Sequence, residues 1–315
     1  MPIEQSFHLN GALAVRAAFS IGIALCLVSC SESAPQTSIT EAASDVPASG
    51  TATSILNAGV MAQIGGADGA SVKFLFDPLY DDHFGSLQQL PPELIEAIVS
   101  GAPPYDGVNA VFVSHAHGDH FSATHLTRML ASQPQVQLVA PGQAIDRMRE
   151  DANWQAGFEG RVTAITLENG ETAQGTVISG AYVEAFRSPH AGWPDRHAAT
   201  HNITFRVSAA GAGEGSGEGD GGGASARIMH LGDADPAAEH FAALSEFLSA
   251  KRTGLAAVPF WFYGEDGLSA IIDETLNAQS AVAVHVPVNA PGYLEAGERP
   301  YFSGVGEVLE IPAVE

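Results

Sequence analysis

From residue 54 onward the chain alternates between two hydrophobic spacings. Short apolar runs rich in β-branched and aromatic residues predict strands over residues 54–64, 72–76, 109–114, 135–140, 161–167, 180–186, 202–208, 227–231, 255–261 and 281–286. Between them, apolar residues recur at three- and four-residue intervals, which predicts helices over residues 92–100, 122–132, 142–151, 236–250 and 268–278. Asp235 fits an N-cap for the fourth helix, and Gly254 lies past its end. Strands interleaved with helices over about 260 residues indicate one α/β domain with two sheets, spanning residues 54–315. Residues 211–223 are almost entirely Gly, Glu, Ser and Asp, a composition that predicts a flexible hairpin tip rather than a calcium-binding glycine repeat.

Composition narrows the function classes. The chain has 315 residues, 45% of them hydrophobic, enough to bury a full core and to exclude a disordered or fibrous protein. Thirteen Lys and Arg against 36 Asp and Glu give a net charge of −23, and the cations are scattered, so a nucleic-acid partner is disfavoured. Cysteine occurs only at Cys26 and Cys30, so the globular part has neither an internal disulfide nor a Cys-rich zinc site. Any metal ligands there are His and carboxylates.

The N-terminus reads as an export signal. Arg16 precedes the apolar run of residues 17–28, too short to span a bilayer but suited to a signal-peptide core. The run ends in Leu27-Val28-Ser29-Cys30, which resembles a bacterial lipobox, with an ordinary signal peptide as the alternative. On the lipobox reading residues 1–29 are removed, Cys30 carries the lipid, and the chain is exported and lipid-anchored in the cell envelope, on the periplasmic side. Ser31 resembles the pattern sorted to the outer membrane. The Ser, Ala, Thr and Pro that dominate residues 30–53 predict a flexible tether.

The chemistry is concentrated after the third strand. A buried-strand pattern ends in Ser114, and His115-Ala116-His117-Gly118-Asp119-His120 follows. Three imidazoles and a carboxylate within six residues are poor core material, because each ring nitrogen needs a partner, yet they are good ligands for zinc, iron or manganese. The extended end projects His115 and His117 together, while Asp119 and His120, around a glycine turn, can face a second ion. The other reading is a solvated His-rich loop.

The segment resembles the H-x-H-x-D-H signature of the metallo-β-lactamase-fold hydrolase superfamily, complete as His115, His117, Asp119 and His120. Further likenesses are a strand ending in Asp77, a strand leading to His190, the element Met229-His230-Leu231-Gly232-Asp233, and a last strand ending in His285. The resemblance implies a four-layer αββα sandwich and two divalent metal ions, with zinc ahead of manganese or iron. It implies that His115, His117 and His190 hold one ion and that Asp119, His120 and His285 hold the other, with Asp233 between. His197 or His201 remains an alternative to His190, and His201 is also a candidate substrate contact. Asp77 would support the metal loop, or else end its strand in a turn.

The implied reaction is hydrolysis of an ester, lactone or phosphodiester bond by a hydroxide between the ions, oriented by the catalytic Asp119. Trp193, Trp261 and Tyr263 are candidate walls for a small apolar or lipid-like substrate, with core packing as the alternative for the aromatic run. True metallo-β-lactamases lack the bridging Asp, and one large group has Cys at that point, so antibiotic hydrolysis is disfavoured. The start of the domain is similar to the branch containing the ascorbate-6-phosphate lactonase and the N-acyl phosphatidylethanolamine phospholipase D. A non-catalytic metal- or ligand-binding lipoprotein is the alternative function. His83, His125, His230 and His240 read as structural.

Overall fold

The computed structural model describes residues 49–65, 71–209, 225–264 and 270–314. Its elements, in chain order, are β1 (Gly50–Leu56), β2 (Gly59–Gly65), β3 (Ser71–Phe76), α1 (Pro92–Ser100), β4 (Ala110–Phe112), α2 (Ala123–Ser132), β5 (Gln137–Pro141), α3 (Gly142–Arg149), β6 (Val162–Ile165), β7 (Thr172–Ile178) and β8 (Ala181–Ser188). There follow β9 (Asn202–Ala209), β10 (Ser225–His230), α4 (Glu239–Ala242), α5 (Ser245–Ala250), β11 (Thr253–Pro259), β12 (Ala278–Val284), α6 (Gly292–Ala296), β13 (Val308–Ile311) and β14 (Ala313–Val314).

Two sheets result, one in the order β13-β1-β2-β3-β4-β5-β6 and the other β12-β11-β10-β9-β8-β7, with β14 pairing β10. Between them lies a core that includes Phe74, Phe76 and Phe112 from one sheet and Phe205, Ile228 and Val282 from the other. The outer face of the first sheet presents Leu75, Val111 and Leu138 to Ile98 of α1, Leu126 of α2 and Ile145 of α3. The outer face of the second presents Met229, Ala256 and Val258 to Phe241 of α4 and Leu248 of α5. Helix, sheet, sheet, helix is the four-layer αββα order expected, because each sheet here has two apolar faces to cover.

Several elements depart from the sequence expectations. The first strand starts at Gly50, inside the expected tether, because Gly50 and Ala52 turn into the central core while Thr51 faces solvent. The single run expected over residues 54–64 is a hairpin, turning at Asn57, whose φ of 50° is left-handed. The helix expected over residues 236–250 is two short ones. Asp235 is not its N-cap; its Oδ1 accepts from Ala237 N–H, and the Leu244 N–H to Phe241 O bond tightens the chain between α4 and α5. Gly254 does lie past the end of α5, within β11.

The helix expected over residues 268–278 is, among the described residues, one π turn, Ile271–Thr275, after which β12 starts at once. The strand expected to reach residue 261 stops at Pro259, and Phe260–Tyr263 form a tight 3-10 turn. Strands β7, β13 and β14 were not expected. The tether to residue 48, with Cys30, and the glycine-rich stretch of residues 211–223 lie outside the described residues. No helix among the described residues is long and apolar enough to cross a membrane.

Candidate metal centre

The site forms where strands from both sheets end. Strand β4 is buried along its length and runs parallel between β3 and β5, so the chain leaving it emerges at their carboxyl ends, where residues 113–120 turn. Asp77 follows β3, His190 follows β8, Asp233 follows β10 and His285 follows β12.

Asp77 builds the loop. Its Oδ1 accepts from Ser114 N–H at 2.7 Å, and its Oδ2 accepts from Ser114 Oγ at 2.6 Å and lies 2.8 Å from His120 Nδ1. Both oxygens are thus used to hold the loop and to turn the other nitrogen of His120 into the site. Asp77 and His285 adopt left-handed conformations, φ 41° and 61°, which are costly for such residues and are kept only where neighbours enforce them. For Asp77 the enforcement includes its N–H to Phe112 O; for His285 it includes its N–H to Asn57 O.

Two clusters of donor atoms converge. In each, the atoms lie within 4.8 Å of one another: His115, His117 and His190 in the first, Asp119, His120, Asp233 and His285 in the second. His115 Nε2 is 3.1 Å from His117 Nδ1. His285 Nε2 is 3.0 Å from Asp119 Oδ2. The Asp233 carboxylate faces both groups, with Oδ1 3.0 Å from His120 Nε2 and Oδ2 3.4 Å from His190 Nε2 and 3.9 Å from His115 Nε2.

These contacts leave polar atoms unsatisfied. Asp119 Oδ1, His120 Nε2, His190 Nε2, Asp233 Oδ1 and His285 Nδ1 are buried without a hydrogen-bond partner; the approach of His120 Nε2 to Asp233 Oδ1 is close but lacks hydrogen-bond geometry. A buried polar group left so costs on the order of 1–3 kcal/mol. Of these atoms, His120 Nε2, His190 Nε2 and Asp233 Oδ1 face the centre, and they fit a site whose donors are satisfied by divalent cations.

The electrostatics divide the same way. Burial holds His115 well below the usual histidine range, reinforced by His120, and burial with the neighbouring His190 pushes His117 down to about 4. Burial also opposes charge on His120, but Asp233 and Asp119 beside it, and its hydrogen bond to Asp77, outweigh this and hold it well above the usual value. Burial would raise Asp119 and Asp233, yet both stay ionised below the ordinary carboxylate range, chiefly because of His120. His115 and His117 in the first cluster are thus held neutral, while in the second the charge on His120 is paired with the Asp119 and Asp233 carboxylates.

The remaining candidates are placed as follows. His201 joins neither cluster; its N–H donates to Gln143 Oε1. His197 is exposed, with its ring centroid 4.9 Å from that of His117 and 4.5 Å from that of His190. The Trp261 indole stands edge-on 5.4 Å from His285, its N–H donated to Ala234 O. Trp193 is partly exposed and edge-on to His240. Tyr263 turns away, its hydroxyl donating to Pro300 O beside Arg299. His230 is buried, stacked on Phe76, with Nε2 2.8 Å from Ala58 O, and His125 sits on α2 3.8 Å from Asp81.

Sequence reasoning did not single out Asn57, Asn202 or Thr200 for these roles. Asn57 donates its side-chain N–H to Asp119 O at 2.7 Å, Asn202 Oδ1 accepts from Asp233 N–H at 2.9 Å, and Thr200 Oγ1 lies 3.1 Å from His117 Nε2. A signal was present for Asn57 alone, as an Asn-Ala-Gly turn inside an apolar run.

The family model described as the Beta-lactamase superfamily domain matches residues 73–290, the stretch that contains every donor named above. The chain belongs to this family. No curated protein matches it significantly. Among solved structures, it is similar to a possible metal-dependent hydrolase from Veillonella parvula, at 15% identity over 84% of this chain and 98% of that one, with a TM-score of 0.49. It is similar also to isothiocyanate hydrolase from Delia radicum gut bacteria, at 16% identity over 82% and 98%, with a TM-score of 0.47. Zn(2+)-bound PqqB from Methylobacterium extorquens is matched at 13% identity over 79% and 86%, with a TM-score of 0.43.

Proposed function

We propose that the chain is a dinuclear metal-dependent hydrolase of an ester, lactone or phosphodiester bond. The observation that carries this reading is the convergence of seven donor residues in two adjoining clusters, with His120 Nε2, His190 Nε2 and Asp233 Oδ1 buried there without partners and the Asp233 carboxylate between the clusters. His115, His117 and His190 would hold one ion and Asp119, His120 and His285 the other, with zinc ahead of manganese or iron for a set of imidazoles and carboxylates. Bound there, such ions supply positive charge that lowers the proton affinity of water and polarises a carbonyl or phosphoryl oxygen.

The protein's own part is orientation. Asp119 is fixed through its backbone by Asn57 and through Oδ2 by His285, and its Oδ1 is left to accept a hydrogen bond from an attacking water. Trp261, pinned through its indole N–H, gives a rigid apolar wall next to His285, which suits an acyl or lipid-like group. The lipobox-like sequence around Cys30 supports a reading in which this chemistry is held at the envelope by an N-terminal lipid; the mass of the mature N-terminus tests that part.

The test of function is metal analysis coupled to hydrolysis of chromogenic ester, lactone and phosphodiester panels. Two ions per chain and turnover that falls about 100-fold or more in Asp119→Asn are expected. Stoichiometric metal with no turnover on any panel, and no effect of Asp119→Asn, would favour a binding protein instead.

A further inference from the structure

His117 is engaged at both ring nitrogens. Nδ1 faces the first cluster, 3.1 Å from His115 Nε2, and Nε2 lies 3.1 Å from Thr200 Oγ1. An imidazole ligates through a lone pair, so Nδ1 is available only when the proton sits on Nε2. With the proton there, the Thr200 hydroxyl accepts its hydrogen bond and supports the ring in its ligating form.

Thr200 stands on the connection between β8 and β9, where no ladder fixes it; it is held instead by α3, the helix that covers the other sheet. Gln143, the second residue of α3, donates its Nε2–H to Ala199 O at 2.7 Å and accepts the His201 N–H on Oε1 at 2.9 Å. One side-chain amide therefore grips the backbone on both sides of Thr200. The turn bond from Thr200 N–H to His197 O closes the loop from the other direction.

We propose that Gln143 and Thr200 form a positioning pair that fixes His117 as an Nδ1 donor to the first metal. Thr200 acts on the ring and Gln143 acts on Thr200; neither touches substrate. The inference rests on the metal-binding reading above. It predicts a selective effect, because the second cluster is oriented by Asp77 and Asn57 and makes no use of this pair.

The experiment uses the full chain, stripped with chelator and titrated with Zn2+ and with Co2+ against a competing chelator. Thr200→Val, which keeps the shape and removes the acceptor, is expected to weaken one of the two ions about 10- to 100-fold and leave the other unchanged. Thr200→Ser is expected to restore wild-type affinity. Gln143→Leu is expected to weaken the same ion, and the double variant to be no worse than the sum of a coupled pair allows. In the zinc-loaded chain the His117 Nε2 proton is expected to exchange slowly with solvent, and to exchange faster in Thr200→Val, where its acceptor is gone.

Wild-type affinity for both ions in Thr200→Val, or an equally slow exchange of the His117 Nε2 proton in that variant, would overturn the proposal. If Thr200→Val does not fold, Gln143→Leu decides it by the same criteria. Failure of the unaltered chain to bind any metal would overturn the metal reading and the pair with it, whereas two bound ions with no selective loss in either variant would overturn the pair alone.

Discussion

Gly232 shows how tightly single positions are set. It has φ 55°, and a Cβ there would meet Ser114 Cβ at 2.6 Å and also strike Asn202 Oδ1, the atom that accepts from Asp233 N–H. Backbone strain alone costs on the order of 1–3 kcal/mol for a residue with a side chain. Gly232→Ala is therefore expected to lower urea stability by at least this amount and to lower metal content, since Asp233 loses its anchor; unchanged metal content would show that Asn202 does not set Asp233. The histidines give a pH dependence of definite sign. An unfolded His takes a proton near pH 6.5, whereas burial and His190 keep His117 neutral in the fold down to about 4. Between these values the unfolded chain binds more protons, so this term makes the metal-free protein less stable as pH falls from about 6.5 towards 4. His120 is raised, so its contribution is full below 6.5 and is lost as pH rises through its higher folded value. Thermal midpoints of chelator-treated protein across pH are expected to show a shallower acid decline in His117→Asn and a smaller alkaline decline in His120→Asn.

At the scale of elements, β8 and β9 are joined by an ion pair that was not legible beforehand. Glu184 and Arg206 are register partners, and the guanidinium donates through Nε and Nη2 to the two carboxylate oxygens at 3.0 and 3.1 Å while Nη1 donates to Phe247 O and Lys251 O. Arg206 is 1% exposed and lies over the Phe247 ring, so one side chain ties the sheet to α5. Arg206→Ala leaves Glu184 buried with only Lys251 nearby, and is expected to cost about 3–5 kcal/mol in urea unfolding; a loss under 1 kcal/mol would mean solvent replaces the arginine. The same strands show what a sequence reveals. Strand β4 and the loop after it were readable because an unbroken apolar run ends abruptly in histidines. The β1–β2 hairpin was not, because Ala58 and Val60 are as buried as the strands around them, so no period marks the turn. Strand β7 escaped because it is a sheet edge whose Thr, Gln and Gly positions carry little apolar alternation. The donors could be named from the family resemblance, but Gln143 and Thr200 act through contacts between distant segments, which leave no local pattern.

For the molecule as a whole, the site depends on the two sheets keeping their relation. Asp77 and residues 115–120 come from the first sheet, and His190, Asp233 and His285 come from the second. Backbone bonds cross between them at the site itself, from Ile203 N–H to Ser114 O and from His285 N–H to Asn57 O. At the other end the chain does the same work with its last strands. Strand β13 adds to β1 in the first sheet, Pro312 turns the chain, and β14 pairs with β10 in the second. Pro312 O lies so close to Gly254 that a Cβ there would collide with it, while Ile311 is buried in the central core and Val314 nearly so. Burying each such side chain is worth about 1.5–3 kcal/mol. Deleting residues 308–315 removes this stitch without touching any donor. It is expected to lower the calorimetric unfolding temperature and, because the sheets are then free to shift at the far end, to weaken both metal sites together. That joint loss separates it from Thr200→Val, which is expected to weaken only one. A truncated chain of reduced stability that binds both ions at full affinity would show that the bonds at the site suffice to hold the sheets in register.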